Sequence, residues 1–215
     1  MSELENIKKY MLLGSELPIT LKKCMEYELL LIVFSLPLGI IMIDGGYYLF
    51  SCLYLLPIIL NLICAMKLKK GKAISGVSCI LYNGIYAGCL SFVFVLIGIE
   101  MMILFLFEGI ELVVMIGLVC AGYLVMLKLC GHIFRKQIEK IKGSGIKRDE
   151  KWMPIALFGG LGIATGRVIV KIVDNKTVAA MASICCIFVS YVCLIGVGNI
   201  LKYRYIMNHK DMFNE

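Results

Sequence analysis

The sequence predicts an all-α integral membrane protein, a bundle of about six transmembrane helices with both termini in the cytoplasm. Three observations support this fold class. The chain of 215 residues is 60% hydrophobic before its 21 glycines are counted, whereas about 45 to 50% is usual for soluble domains with glycine included. Its mean hydropathy is +0.90. Its charged residues are crowded between long charge-free runs, and about 20 apolar residues suffice for a helix to cross the hydrocarbon layer.

The runs predict the elements in chain order. Residues 1–26 are polar and should form a cytoplasmic or interfacial segment, in which Ile7, Tyr10 and Met11 share one face of a short helix. The membrane domain is predicted over residues 27–201 and a cytoplasmic tail over 202–215. The predicted spans are 27–43, 47–66, 74–99, 109–131, 152–173 and 177–201. Because Glu100, Glu108 and Glu111 interrupt the apolar sequence between residues 73 and 127, five crossings with a re-entrant segment is the alternative.

The orientation follows from the distribution of lysine and arginine. Cytoplasmic loops carry an excess of both, and 19 of the 22 basic residues fall on the side of the amino terminus when the loops are assigned alternately. We therefore expect a multi-pass protein of the cell membrane, the cytoplasmic membrane of a bacterium, with both termini inside. The net charge of +7 is expected to meet anionic headgroups. The lipid bilayer is thus an expected partner, and nucleic acid is not.

Prolines, asparagines and glycines within the spans predict how the helices bend and pack. Pro37 and Pro57 should kink the first two spans, because each removes a backbone hydrogen bond. Asn61 and Asn83 are placed to bond across helices. Small residues let helices approach closely, and packing within the bundle is the interpretation we favour over a dimer seam for two sets of glycines. These are Gly84 and Gly88 in the third span, and Gly159, Gly162 and Gly166 in the fifth.

Arg167 is the most informative charge in the sequence. It lies roughly 22 Å along the fifth predicted helix, where a base is costly and usually faces a partner or a wet cavity. Lys171 follows one turn later, and Glu100 and Glu108 are the candidate ion-pair partners. We expect either an outward-facing polar pocket for an anionic group or peptide, or basic side chains that only extend to the outer headgroups.

An amphipathic stretch follows the fourth predicted span. Ile133, Phe134, Ile138 and Ile141 recur at helical spacing among basic residues. This pattern is typical of a helix at the lipid headgroups, and docking of a cytoplasmic partner is the alternative.

The cysteines and histidines do not form a recognisable chemical motif. The ten cysteines include no Cys-x-x-Cys, and the histidines are His132 and His209. We therefore expect thiols that pack as small hydrophobes, no metal site and no cofactor. Size, six crossings and inward termini are similar to those of membrane cysteine endopeptidases that trim peptide precursors. Such chemistry needs a histidine that activates the thiol, and no histidine shortly precedes a cysteine.

The sequence therefore predicts a non-enzymatic protein that binds a peptide or a membrane partner, such as an accessory or immunity-type subunit. A small-solute transporter, or the membrane subunit of an ABC-type transporter, is the alternative. An intramembrane peptidase is the second alternative.

Overall fold

The computed structural model describes residues 3–13, 15, 18–69, 73–144, 175–209, 211 and 213. Nearly all of this described chain is helical. The elements in order are α1 (Glu3–Leu12), β1 (Ile19–Thr20), α2 (Leu21–Asp44), α3 (Tyr48–Leu68), β2 (Ala73–Ile74), α4 (Val77–Met101), α5 (Gly109–Ser144) and α6 (Asn175–Asn208). The described residues contain five helices, α2 to α6, that are long and apolar enough to cross a membrane. The all-α membrane class is confirmed, and the predicted span 152–173 lies outside the described residues.

Helices α2 and α3 form a hairpin around a glycine turn. Gly46 adopts a φ of 82°, which glycine reaches without a steric penalty, and its N–H donates to the carbonyl of Ile43 at 2.9 Å. Both helices continue through their prolines, Pro37 and Pro57. The Ser51 hydroxyl donates to the Gly39 carbonyl of α2 at 2.7 Å. The hairpin is thus tied across its two helices as well as at its turn.

Helix α4 is the central element and packs most extensively against α6. Small polar residues line this contact: the Ser91 hydroxyl donates to the Ser190 carbonyl at 2.9 Å, and the Ser183 hydroxyl donates to the Gly98 carbonyl at 2.9 Å. Such small side chains let two helices approach closely and form hydrogen bonds with each other. These contacts matter in a membrane, because lipid supplies no hydrophobic driving force for helix association. Helix α4 therefore holds the bundle together.

The stretch between residues 73 and 127 forms two long helices in the described structure. A π-helical turn, Met102–Leu106, extends α4, and two residues then connect it to α5. Gly109 begins α5 with a φ of 57°. Glu100 therefore lies inside α4, Glu108 lies in the connection, and Glu111 lies in the first turn of α5, where the helix dipole favours an acid.

The amino-terminal helix α1 packs against the carboxyl-terminal parts of α5 and α6. Ile7 and Met11 are buried with Ile80 and Ile206, and Phe134 and Ile138 of α5 pack against the same cluster. Phe134 and Ile138 of the amphipathic part of α5 thus contact protein, whereas Ile133 is 44% exposed. The position of this stretch at the lipid headgroups stays a prediction.

Polar contacts secure the same junction. The Tyr10 hydroxyl donates to Oε1 of Gln137, and the Lys202 ammonium lies 4.3 Å from the centroid of the Tyr10 ring. Burial raises the pKa of Tyr10, so its hydroxyl remains a donor at neutral pH. The amino-terminal segment is thereby fixed to two membrane helices.

Most basic residues of the described chain gather at one end of the bundle, which we call the basic end, whereas Lys176 lies in the first turn of α6 at the other end. Here α1 meets the last turns of α5 and α6, and Ile19 of β1 pairs with Ile74 of β2, joining the starts of α2 and α4. Helices α5 and α6 thus end at the same side and run in the same direction. The basic end carries Lys8, Lys9, Lys22, Lys23, Lys67, Lys69, Arg135, Lys136, Lys140, Lys202 and Arg204.

Candidate functional site

A polar cluster connects α2, α3 and α4 inside the bundle, and we call it the Glu28 cluster. Asn61 Nδ2 of α3 donates to Oε2 of Glu28 of α2 at 2.6 Å and to Oη of Tyr82 of α4 at 3.4 Å. Asn61 and Tyr82 are fully buried, and Glu28 is half-buried. One amide therefore bonds to two neighbouring helices, so the predicted cross-helix role of Asn61 is confirmed.

The sequence places Glu28 on the face of α2 that packs against α3. Leu21, Cys24, Met25 and Glu28 follow the 3 and 4 spacing of one helical face. On α3, Leu62, Ala65, Met66 and Lys69 follow the same spacing. The two helices are antiparallel neighbours, so these stripes face one another, with Glu28 near Leu62 and Leu21 near Lys69.

Between the two stripes lies a cavity of about 160 Å³. The space is open on its outer side, because Leu21, Met25, Leu62 and Met66 of its lining are 48 to 65% exposed. Its walls are apolar apart from Glu28 and Lys69. The complete lining is Ile19, Leu21, Cys24, Met25, Glu28, Leu62, Ala65, Met66, Lys69, Ala73 and Ile74.

Two buried oxygens of the Glu28 cluster have no hydrogen-bond partner among the described residues. They are Oε1 of Glu28 and Oδ1 of Asn61, and both accept hydrogen bonds in the ionised acid and the amide. Turning the Asn61 amide round would set Oδ1 against Oε2 of the ionised Glu28, so the bond to Glu28 favours the observed placement of Nδ2. A buried acceptor left unpaired costs about 1 to 3 kcal/mol. Among the described residues, these two acceptors therefore remain without a donor.

A second buried acid, Glu100, is satisfied within the described chain. The Tyr54 hydroxyl of α3 donates to Oε2 of Glu100 at 2.5 Å, and both side chains are 1% exposed. Glu108 is exposed on the connection between α4 and α5. Arg167 and Lys171 lie outside the described residues, so their pairing with Glu100 or Glu108 stays a prediction.

The two predicted packing glycines of α4 differ in how closely α6 approaches them. A Cβ at Gly84 would lie 2.7 Å from Cγ1 and 2.9 Å from the backbone N of Ile200, whereas a Cβ at Gly88 would lie 3.5 Å from Val197 Cγ2. Gly98 and Gly196 were not predicted as packing positions, yet a Cβ at Gly98 would lie 2.7 Å from Ile187 of α6, and a Cβ at Gly196 would lie 2.5 Å from Ala87 of α4. The predicted packing glycines of the fifth span, Gly159, Gly162 and Gly166, lie outside the described residues.

The cysteine and histidine that are closest in sequence both lie on α5. The Cys130 thiol donates to the Leu194 carbonyl of α6 at 3.5 Å, and His132 is exposed. His209 lies at the end of α6, with Nδ1 3.0 Å from the Tyr205 carbonyl. Within the described ranges, no three or more His, Cys, Asp or Glu side chains form a group that could hold a metal ion.

Glu28 was not among the site residues predicted from the sequence. The available signal was its position inside the predicted span 27–43, because ionisable residues within membrane spans usually face the bundle interior. The cavity had no such signal, since it depends on how β1 and β2 pack beside α2 and α3. Comparison of the chain with protein-family models, curated proteins and solved structures gave no match.

Proposed function

We propose that the protein is a non-enzymatic membrane protein that acts by binding a peptide or a membrane partner, and that the cavity beside Glu28 is its binding site. One observation carries the proposal: Glu28, an acid that bonds to the buried amide of Asn61, lies in the wall of an otherwise largely apolar cavity. Ligand sites are usually concave and mostly apolar, with a few polar groups that fix orientation. The Glu28 cluster has this composition.

The proposal includes six crossings of a cell membrane, with both termini in the cytoplasm. Two features of the described helices support it. The basic end gathers the amino-terminal helix and the last turns of α5 and α6, as the positive-inside rule requires for the cytoplasmic side. Since α5 and α6 run in the same direction, the chain has to return across the bundle between them, which one crossing within residues 145–174 accomplishes.

A transport role is the second candidate, and the buried acids favour it. Glu28 and Glu100 both lie in helices long enough to cross a membrane, where ionisable residues often mark substrate or ion pathways. Liposomes that contain the purified protein distinguish the two functions. A transporter releases a preloaded ligand across the bilayer, and Glu28→Gln slows the release; a binding protein leaves the ligand inside.

The binding proposal is tested by native mass spectrometry of protein extracted gently from its own host membrane. Ala65→Phe fills the cavity. Ile59→Phe is the control, because it places a ring on the same helix at a residue that is 53% exposed. We expect a bound non-lipid mass on the wild type and on Ile59→Phe, and none on Ala65→Phe. Identical bound masses on all three proteins would contradict the proposal. Incubation that leaves the bound mass intact distinguishes binding from cleavage by a peptidase.

A further inference from the structure

We propose that the exposed face of α6 is covered by residues 152–173 of the same chain, with Gly162 and Gly166 facing the side chains of Phe188 and Ile184. The inference rests on the six crossings of the proposed function, because it gives the fifth crossing its place in the bundle. Residues 152–173 lie outside the described residues. The described faces of α6 and the length of the connection before it carry the inference.

Helix α6 has two occupied sides and one open side. On the first side, Ser183 bonds to the backbone of α4. On the second, the Leu194 carbonyl accepts a bond from α5. The remaining side carries Ile184, Phe188 and Ile195, which are 61 to 67% exposed and follow the spacing of one helical face. Among the described residues, this third side is therefore uncovered.

The connection before α6 is short. The predicted fifth span ends at residue 173, and α6 begins at Asn175. Because each residue extends the chain by at most about 3.6 Å, the end of the fifth crossing lies within about 10 Å of the first turn of α6. Packed helices are separated by about 8 to 10 Å. Since α4 and α5 occupy the other two sides, the crossing reaches the open side of α6.

The register of the resulting hairpin brings glycines to the largest exposed side chains. Two antiparallel helices that meet at residue 174 place Gly166 level with residue 182 and Gly162 level with residue 186. Ile184 and Phe188 lie two residues from these levels, about 3 Å along the axis. Four residues separate the members of each pair, so a single register matches both pairs.

This register sets large side chains against positions that have none. Ile184 and Phe188 are 65% and 67% exposed, and glycine lets a neighbouring helix approach closely. Van der Waals packing of this kind drives helix association in lipid. A second copy of the chain would have to reach the same face by diffusion, whereas the connection to Asn175 keeps residues 152–173 beside it at a high effective concentration.

Disulfide formation tests the contact in membranes that contain the full chain, in a variant whose accessible native thiols have been replaced. A disulfide requires Cα atoms about 4.4 to 6.8 Å apart, so we expect Gly166→Cys with Ile184→Cys to link within the chain on mild oxidation. Gly166→Cys with Leu55→Cys is the control, because Leu55 is 45% exposed on α3, which packs against α2 and α4. Mass mapping of linked peptides should show at least tenfold more link in the first pair.

A tryptophan reports whether the face is covered without requiring a disulfide. Trp152 is the only tryptophan of the chain, so Phe188→Trp in a Trp152→Phe background reports a single position. Brominated lipids quench an indole that they contact. In liposomes of such lipids, Phe188→Trp should lose less than half as much fluorescence as Leu56→Trp, which replaces a residue that is 52% exposed on α3.

Three results overturn the inference. One is quenching of Phe188→Trp equal to that of Leu56→Trp. Another is a covalent dimer formed by Ile184→Cys alone, which identifies a second copy on this face. The third is the absence of a selective link both in the pair Gly166→Cys with Ile184→Cys and in Gly162→Cys with Phe188→Cys. If any of these occurs while Lys69→Cys and Arg204→Cys report the same side of the membrane, the docking fails and the six crossings stand.

Discussion

Glu100, which is buried, and Glu28, which is half-buried, show that the same side chain has opposite consequences in one bundle. Glu100 accepts a bond from a neutral phenol, Tyr54, inside the same core. Glu28 shares one oxygen with Asn61 and leaves the other without a partner among the described residues. The first arrangement is complete and suits a structural contact between α3 and α4. The second is incomplete among the described residues, and the proposed binding site lies beside it.

The Tyr54 and Glu100 bond gives a prediction at the scale of single residues. Tyr54→Phe removes the donor and leaves a buried acceptor unpaired, so we expect it to lower the free energy of unfolding by about 1 to 3 kcal/mol. A double-mutant cycle with Glu100→Gln, measured by unfolding in mixed micelles, should give a coupling of about 0.5 kcal/mol or more. Tyr48→Phe is the control, because Tyr48 is 65% exposed. Additive effects would show that the bond contributes no stability.

At the scale of the element, the contact between α4 and α6 depends on where a side chain has room. Gly84 faces the backbone of Ile200, which cannot yield as a flexible side chain does, whereas Gly88 faces a methyl group at ordinary contact distance. The two glycines form one small-xxx-small pair in the sequence. The small-xxx-small spacing predicts only that both glycines lie on one face of α4. How closely α6 approaches each turn of that face depends on the packing of the two helices.

We therefore predict different outcomes for the two alanine substitutions. Gly84→Ala should lower the free energy of unfolding by about 1 to 3 kcal/mol through overpacking. Gly88→Ala should be neutral or stabilising by up to about 1 kcal/mol, since alanine is the better helix former. Gly117→Ala, at an exposed position of α5 with open space around it, is the control for propensity alone. A loss at Gly88 equal to that at Gly84 would contradict the prediction.

The docking of α1 gives a second prediction for an element. Met11 is fully buried against α4 and α6 residues, while Leu13, just beyond the helix, is 49% exposed. Met11→Ala should cost about 2 to 5 kcal/mol, as large-to-small changes in a packed core do, and Leu13→Ala should cost little. Limited proteolysis, followed at the amino terminus, should show faster cleavage in Met11→Ala. Equal protection in both variants would mean that α1 is held by its polar contacts alone.

The sequence predicted elements better than the contacts between them. The start of α5 at Gly109 agrees with the predicted span, because a charged connection precedes an apolar run. The shared face of Ile7 and Met11 also follows from helical spacing, and burial confirms it. That α5 would cover this face was not predictable, because periodicity tells which residues point the same way and not what they touch. Glu28 illustrates the same limit, since its meaning depends on Asn61, 33 residues away.

At the scale of the whole molecule, the direction of the helices links packing to topology. Helices α2 to α5 alternate in direction, as short connections between neighbours require. Helix α6 runs parallel to α5, with both carboxyl-terminal ends beside α1. This arrangement brings together basic residues that are far apart in the sequence, and acids such as Asp44, Glu108 and Glu111 lie at the other end. Packing thus gathers at one end residues that the proposed orientation assigns to the cytoplasmic side.

The orientation gives the last prediction, which single cysteines test in a variant whose accessible native thiols have been replaced. Lys69→Cys and Arg204→Cys report the basic end, and Glu108→Cys reports the opposite end; all three positions are exposed. A membrane-impermeant maleimide added to intact cells should label only Glu108→Cys, and permeabilised cells should label all three. Labelling of Arg204→Cys but not Lys69→Cys would contradict an even number of crossings. Labelling of both without Glu108→Cys would reverse the orientation and preserve the number, because the contacts at the basic end hold both residues on one side of the membrane in either orientation.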